Sequence, residues 1–71
     1  MTTICAELAA GYAKRSREAC EPAIAAQFAW AAAIAAVGAV FEKSGLVEAA
    51  RMRADAARVF ADAISLNNST G

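Results

Sequence analysis

Between Ala23 and Phe41 the chain reads AIAAQFAWAAAIAAVGAVF, and Gln27 is the only strongly polar side chain in that run. The segments on either side alternate apolar and charged positions at the 3.6-residue period of a helix instead. In the first segment Ile4, Leu8, Gly11, Tyr12 and Ala19 share one stripe, while Glu7, Lys14, Arg17, Glu18 and Glu21 lie opposite. In the third, Glu48, Arg51, Asp55, Arg58 and Asp62 recur every three or four residues with alternating sign, the pattern of a solvated ladder. Leu46, Ala49, Ala50, Ala57, Phe60, Ala61 and Ile64 form its expected core stripe, with Met52, Ala56, Val59 and Ala63 as a second apolar strip beside it.

Two interruptions divide this pattern. Pro22 is the only proline, and it suits the first position of a helix, where its missing N–H would be unpaired anyway. The run Lys43-Ser44-Gly45 supplies a candidate cap and a flexible turn. Helices are therefore expected over about 3–20, 22–43 and 46–66 in one domain, with 67–71 as a disordered tail. Strand-type alternation is missing and alanine dominates, so the fold class is all-α. Short connections make successive helices antiparallel. The expectation is a three-helix up-down-up bundle, or a helical hairpin with a docked third helix, completed by homodimerisation.

The middle helix carries two seams. Trp30, Ile34, Val37 and Phe41 fall on one side, and Ala25, Ala29, Ala32, Ala36 and Ala39 repeat the same spacing on another. Large side chains fill cores, whereas a row of methyl groups lets two helix backbones approach closely. The expected protomer core is accordingly Leu8, Tyr12, Trp30, Ile34, Val37, Phe41, Phe60 and Ile64. The candidate interface is Ala25, Ala29, Ala32 and Ala36, with Met52, Arg53 and Val59 on the third helix. Arg53 stands within an apolar stripe, where it either snorkels to water or pairs across a contact.

Composition narrows the function. Seven basic and seven acidic residues give a formal charge of zero and lie interleaved, so no basic patch for phosphate contacts is present and nucleic acid is not an expected partner. With no histidine, the commonest general base and metal ligand is missing. The four glycines are isolated from one another, which excludes a phosphate-cradling loop. Cys5 and Cys20 are too few for a secreted disulfide scaffold and, fifteen residues apart on one helix, too distant to share a metal. No basic stretch precedes the first apolar residues, as a secretory signal would require.

These features describe a cytoplasmic, non-enzymatic interaction module without cofactor: an adaptor, inhibitor or accessory chaperone. Its expected partners are a second copy of itself and an unidentified protein target. The alternative is a small membrane protein whose single span is 22–41, since about 20 residues cross a hydrocarbon core of ~30 Å.

Overall fold

The computed structural model describes residues 3–70, Thr70 by its backbone alone, as three helices: α1 (Ile4–Glu18), α2 (Pro22–Lys43) and α3 (Glu48–Thr70). Each boundary has a local cause. The hydroxyl of Thr3 caps α1 by accepting the N–H of Ala6 at 3.0 Å. Glu21, held extended (ψ 121°) as residues before proline are, separates α1 from α2, and Pro22 opens the second helix.

At the far end of α2, Gly45 adopts φ +73°, a left-handed conformation that side chains other than glycine disfavour. Its N–H donates to the carbonyl of Glu42 at 3.0 Å, and the N–H of Leu46 donates to that of Phe41 at 3.0 Å. This pair of bonds is a Schellman closure. Ser44 is thus the C-cap of α2 and does not start α3, as its hydroxyl suggested; the last helix begins at Glu48, two residues later than Leu46. Nor does α3 stop at Leu66. It runs on through Asn67, Asn68 and Ser69 to Thr70, with the Ser69 hydroxyl donating to the carbonyl of Ser65 at 3.0 Å. Gly71, the last residue of the expected tail, lies outside the described residues.

The chain is all-helical and forms a three-helix bundle in which α2 is central. It lies along both neighbours, whereas α1 and α3 meet only over a small patch centred on Tyr12 and Phe60, whose rings stack with centroids 4.3 Å apart. The inward seam of α2 is Ile24, Phe28, Ala31, Ala35 and Gly38, spaced four, three, four and three. Against it α1 sets Cys5 and Tyr12, and α3 sets Ala49, Ala56, Val59 and Ala63.

Small residues dominate this seam because two helices must approach the same side of α2. Ala31, Ala35, Ala56 and Ala63 are completely buried, and Phe28 and Ile24 are the two large apolar side chains of α2 that are almost fully enclosed, at 1% and 3% exposure. At Gly38 an added Cβ would lie 3.0 Å from the Cys5 sulfur and 3.1 Å from the Met52 Cβ. Both neighbours pack against bare backbone there.

Two expectations about the core change accordingly. Trp30 and Val37 are not core residues: they are 56% and 45% exposed, because α1 and α3 cover the opposite side of α2. On α3 the core seam is rotated toward what looked like a second strip. Val59, read as an interface residue, is only 8% exposed and packs with Tyr12, Ala31, Ala35 and Ala56. Ala50, Ala57 and Ala61 face outward instead. Of the remaining core expectations, Tyr12 is buried in one cluster, Leu8, Ile34 and Phe60 pack at its margin and Ile64 at the margin of the other, while Phe41 is half-buried and belongs to neither.

Candidate functional site

Three places in the bundle could carry chemistry or recognition. The first is polar and lies where the start of α1 meets the end of α2. Glu42 projects inward beneath the N-terminus of α1, where its Oε1 accepts the backbone N–H of Cys5 at 2.8 Å. The Thr3 hydroxyl and the Cys5 thiol also lie beside this carboxylate. Arg53 reaches it from α3, with Nη1 4.0 Å from Oε2. A carboxylate at a helix N-terminus is favoured by the unpaired N–H groups and the dipole. Arg53 is therefore an internal α3–α2 partner, with its side chain 43% exposed.

This arrangement shifts two groups. The N–H of Cys5 above all, and then the Cys5 thiol, Thr3 and Arg53, hold the Glu42 carboxyl below its ordinary 4.5, against the opposing effect of burial. Burial pushes the Cys5 thiol above 9.0, as does the adjacent Glu42 carboxylate, with Arg53 opposing. Cys5 is thus a neutral packing group at physiological pH, not a nucleophile.

Linkage gives the Glu42 contribution a sign. A depressed folded-state value stabilises the protein above the unfolded value, and the gain is lost as pH falls below 4.5 through the folded value. Glu42→Gln should melt below the parent at about pH 6, and the gap should close toward about pH 3. Thermal melts across that range test this. A gap that stays constant would show that the carboxylate charge contributes nothing.

The second place is a cleft of about 510 Å³ at the opposite end, lined by Arg15, Glu18, Cys20, Glu21 and Phe28 among others. Its cation is already engaged: the Arg15 guanidinium lies 5.3 Å from the centroid of Phe28 and 5.8 Å from that of Phe60. What remains is mainly carboxylate and thiol at the rim.

The third place is the outer side of α2. Ala26, Ala29, Trp30, Ala33, Ala36, Val37 and Val40 are all exposed, Trp30 to 56% and Val40 to 63%. No charged side chain occurs between Glu21 and Glu42, and Glu42 points inward. Beyond the helix end, Leu46 and Val47 add apolar surface that is 48% and 86% exposed. Contiguous apolar patches of this kind mark contact sites more often than ordinary surface.

The expected interface residues distribute unevenly over this surface. Ala29 and Ala36 belong to the outer face, while Ala25 and Ala32 are half-buried at its edge. Met52 is half-buried beside Gly38. Two seams read in the sequence, Trp30/Val37 and Ala29/Ala36, turn out to be the flanks of one face whose midline is Ala26, Ala33 and Val40. Those three recur every seven residues, so the periodicity was legible, but only the position of α1 and α3 reveals it as the uncovered side.

Comparison with protein-family models, curated proteins and solved structures finds no match for this chain.

Proposed function

We propose that this chain is a small, non-enzymatic protein–protein interaction module, of the adaptor, inhibitor or accessory-chaperone kind, that acts by lending the outer face of α2 to another helix. The observation that carries this reading is the uncovered run from Ala26 to Val40, which is free of charge and holds an exposed tryptophan. Tryptophan is enriched among the residues that dominate binding energy at interfaces. An uncharged helix face lacks the ionic groups that hydrolytic or transfer chemistry requires, whereas it suits helix-in-groove packing.

Site-specific photo-crosslinking tests the reading. A benzophenone side chain in place of Ala33 should yield light-dependent protein adducts in cells that make the protein, and Val40→Asp should abolish them. A folded chain that yields no protein adduct would overturn it.

One observation favours a second reading, a helix lodged in a membrane. α2 spans 22 residues, and its most apolar 18-residue window has a mean hydropathy of 1.9, with only 28% of that window buried within the bundle. At 1.5 Å per residue it is about 33 Å long, enough to cross a bilayer. Benzophenone adducts confined to lipid, with the chain retained in membranes after alkaline carbonate extraction, would select that reading.

A further inference from the structure

We propose that the occupant of the outer α2 face is the same face of a second copy of this chain, packed antiparallel about a two-fold axis at Ala33. The proposal rests on the interaction-module reading and names its partner. Charge complementarity points to it first. The exposed charges that bracket the face are Glu21 at the start of α2 and Lys43 at its end. An antiparallel pair places each Glu21 within about one turn of Lys43 of the second copy, whereas a parallel pair sets like against like. The helix dipoles also oppose one another in the antiparallel pair.

Side-chain size agrees with the same register. With Ala33 on the axis, Ala33 meets Ala33, so the two backbones approach closely at the centre. Ala26 then faces Val40 of the second copy, Ala29 faces its Ala36, and Trp30 packs over its Val37. Because the two flanks of α2 differ, each two-fold contact brings alanine to alanine on one edge and tryptophan to valine on the other. The seven-residue recurrence of Ala26, Ala33 and Val40 is the spacing by which two helices keep a shared seam. α1 and α3 pack on the opposite side of α2, against Ile24, Phe28, Ala31, Ala35 and Gly38, and leave this face uncovered.

The area is also of the right order. The accessible surface is 4561 Å² for a chain of 7.3 kDa. A monomer of that mass exposes about 4,200 Å² by the usual scaling, roughly 400 Å² less. A contact that removed this excess from each copy would bury about 800 Å² in total, the size of a weak, transient interface. The dimer is therefore expected to dissociate on dilution.

The test combines mass and directed crosslinking in detergent-free buffer, with Cys20→Ser to remove the exposed native thiol. Light scattering should give twice 7.3 kDa at high concentration and fall toward 7.3 kDa on dilution. Ala33→Glu, at a position exposed in the single chain, should leave helicity intact and stay monomeric throughout. Under mild oxidation Ala33→Cys should link to itself and Ala26→Cys should link to Val40→Cys, whereas Ala26→Cys alone should not. A wild-type chain that is monomeric at every concentration overturns the proposal, as does a dimer that self-links at Ala26→Cys. If such a monomer still gives Ala33 adducts with a different protein, the second copy is ruled out and the interaction module stands. If it gives none, both fail.

Discussion

Phe28→Ala should cost about 3–5 kcal/mol, the usual penalty for emptying a buried aromatic site. Phe28 is 1% exposed, packs against Phe60 at a centroid distance of 5.4 Å, and lies under the Arg15 guanidinium. Around it Ile24 and Ala63, with Ala19, Phe60 and Ile64 at the margin, would be left facing the void. A domain of this length has a total stability of only about 4–10 kcal/mol, so the variant should lose a third or more of it and melt far below the parent. Trp30→Ala makes the matched control. It deletes an even larger ring, yet that ring is 56% exposed, and surface changes of this kind usually alter monomer stability by no more than about 0.5 kcal/mol. Chemical denaturation of both variants, at a concentration low enough to exclude association, decides the matter. Equal losses would place Trp30 in the core and invalidate the described orientation of α2.

The second large effect is expected at Gly38. A valine there would put its Cβ 3.0 Å from the Cys5 sulfur and 3.1 Å from the Met52 Cβ, and two further methyl groups beyond them. The Met52 contact is to an atom fixed by the α3 backbone, so the neighbours cannot yield by rotation alone. Overpacking of this kind costs about 1–3 kcal/mol, and Gly38→Val should lie at the upper end. Gly11 supplies the contrast, because nothing lies within 4 Å of an added Cβ at that position. Gly11→Ala should gain about 0.5–1 kcal/mol from helix propensity. The two substitutions should therefore move the melting temperature in opposite directions. If Gly38→Val leaves it unchanged, α1 and α3 do not converge on the backbone of α2 at that point.

Both predictions turn on which side of α2 faces inward, and that is where sequence and structure part. α1 and α3 carry charged ladders, and a charged face tells by elimination where water is: Glu48, Arg51, Arg58 and Asp62 are all exposed, and Arg58 pairs with Asp55 at 3.0 Å. Even so, the boundary of the core on α3 shifted by one strip. Its apolar positions are mostly alanines, and a single methyl group is tolerated equally well in either environment. On α2 no polar residue marks the outer side at all. Size was the only guide, and it pointed to Trp30.

The elements and their order were determined by the sequence itself: Pro22 starts one helix, Gly45 closes it, and alanine-rich heptads carry the rest, because these signals act through local backbone conformation. Tertiary structure alone decided that Trp30 and Val37 face out, that Val59 faces in, and that Glu42 and Arg53 meet under the start of α1. A helix that must accept two neighbours on one side turns its smallest residues toward them, since close backbone approach gains more contact than a large side chain that would hold the helices apart. Ile24 and Phe28 fill the seam only toward the start of α2, and Trp30, Val37 and Val40 are left on its free side, where the proposed second copy would cover them.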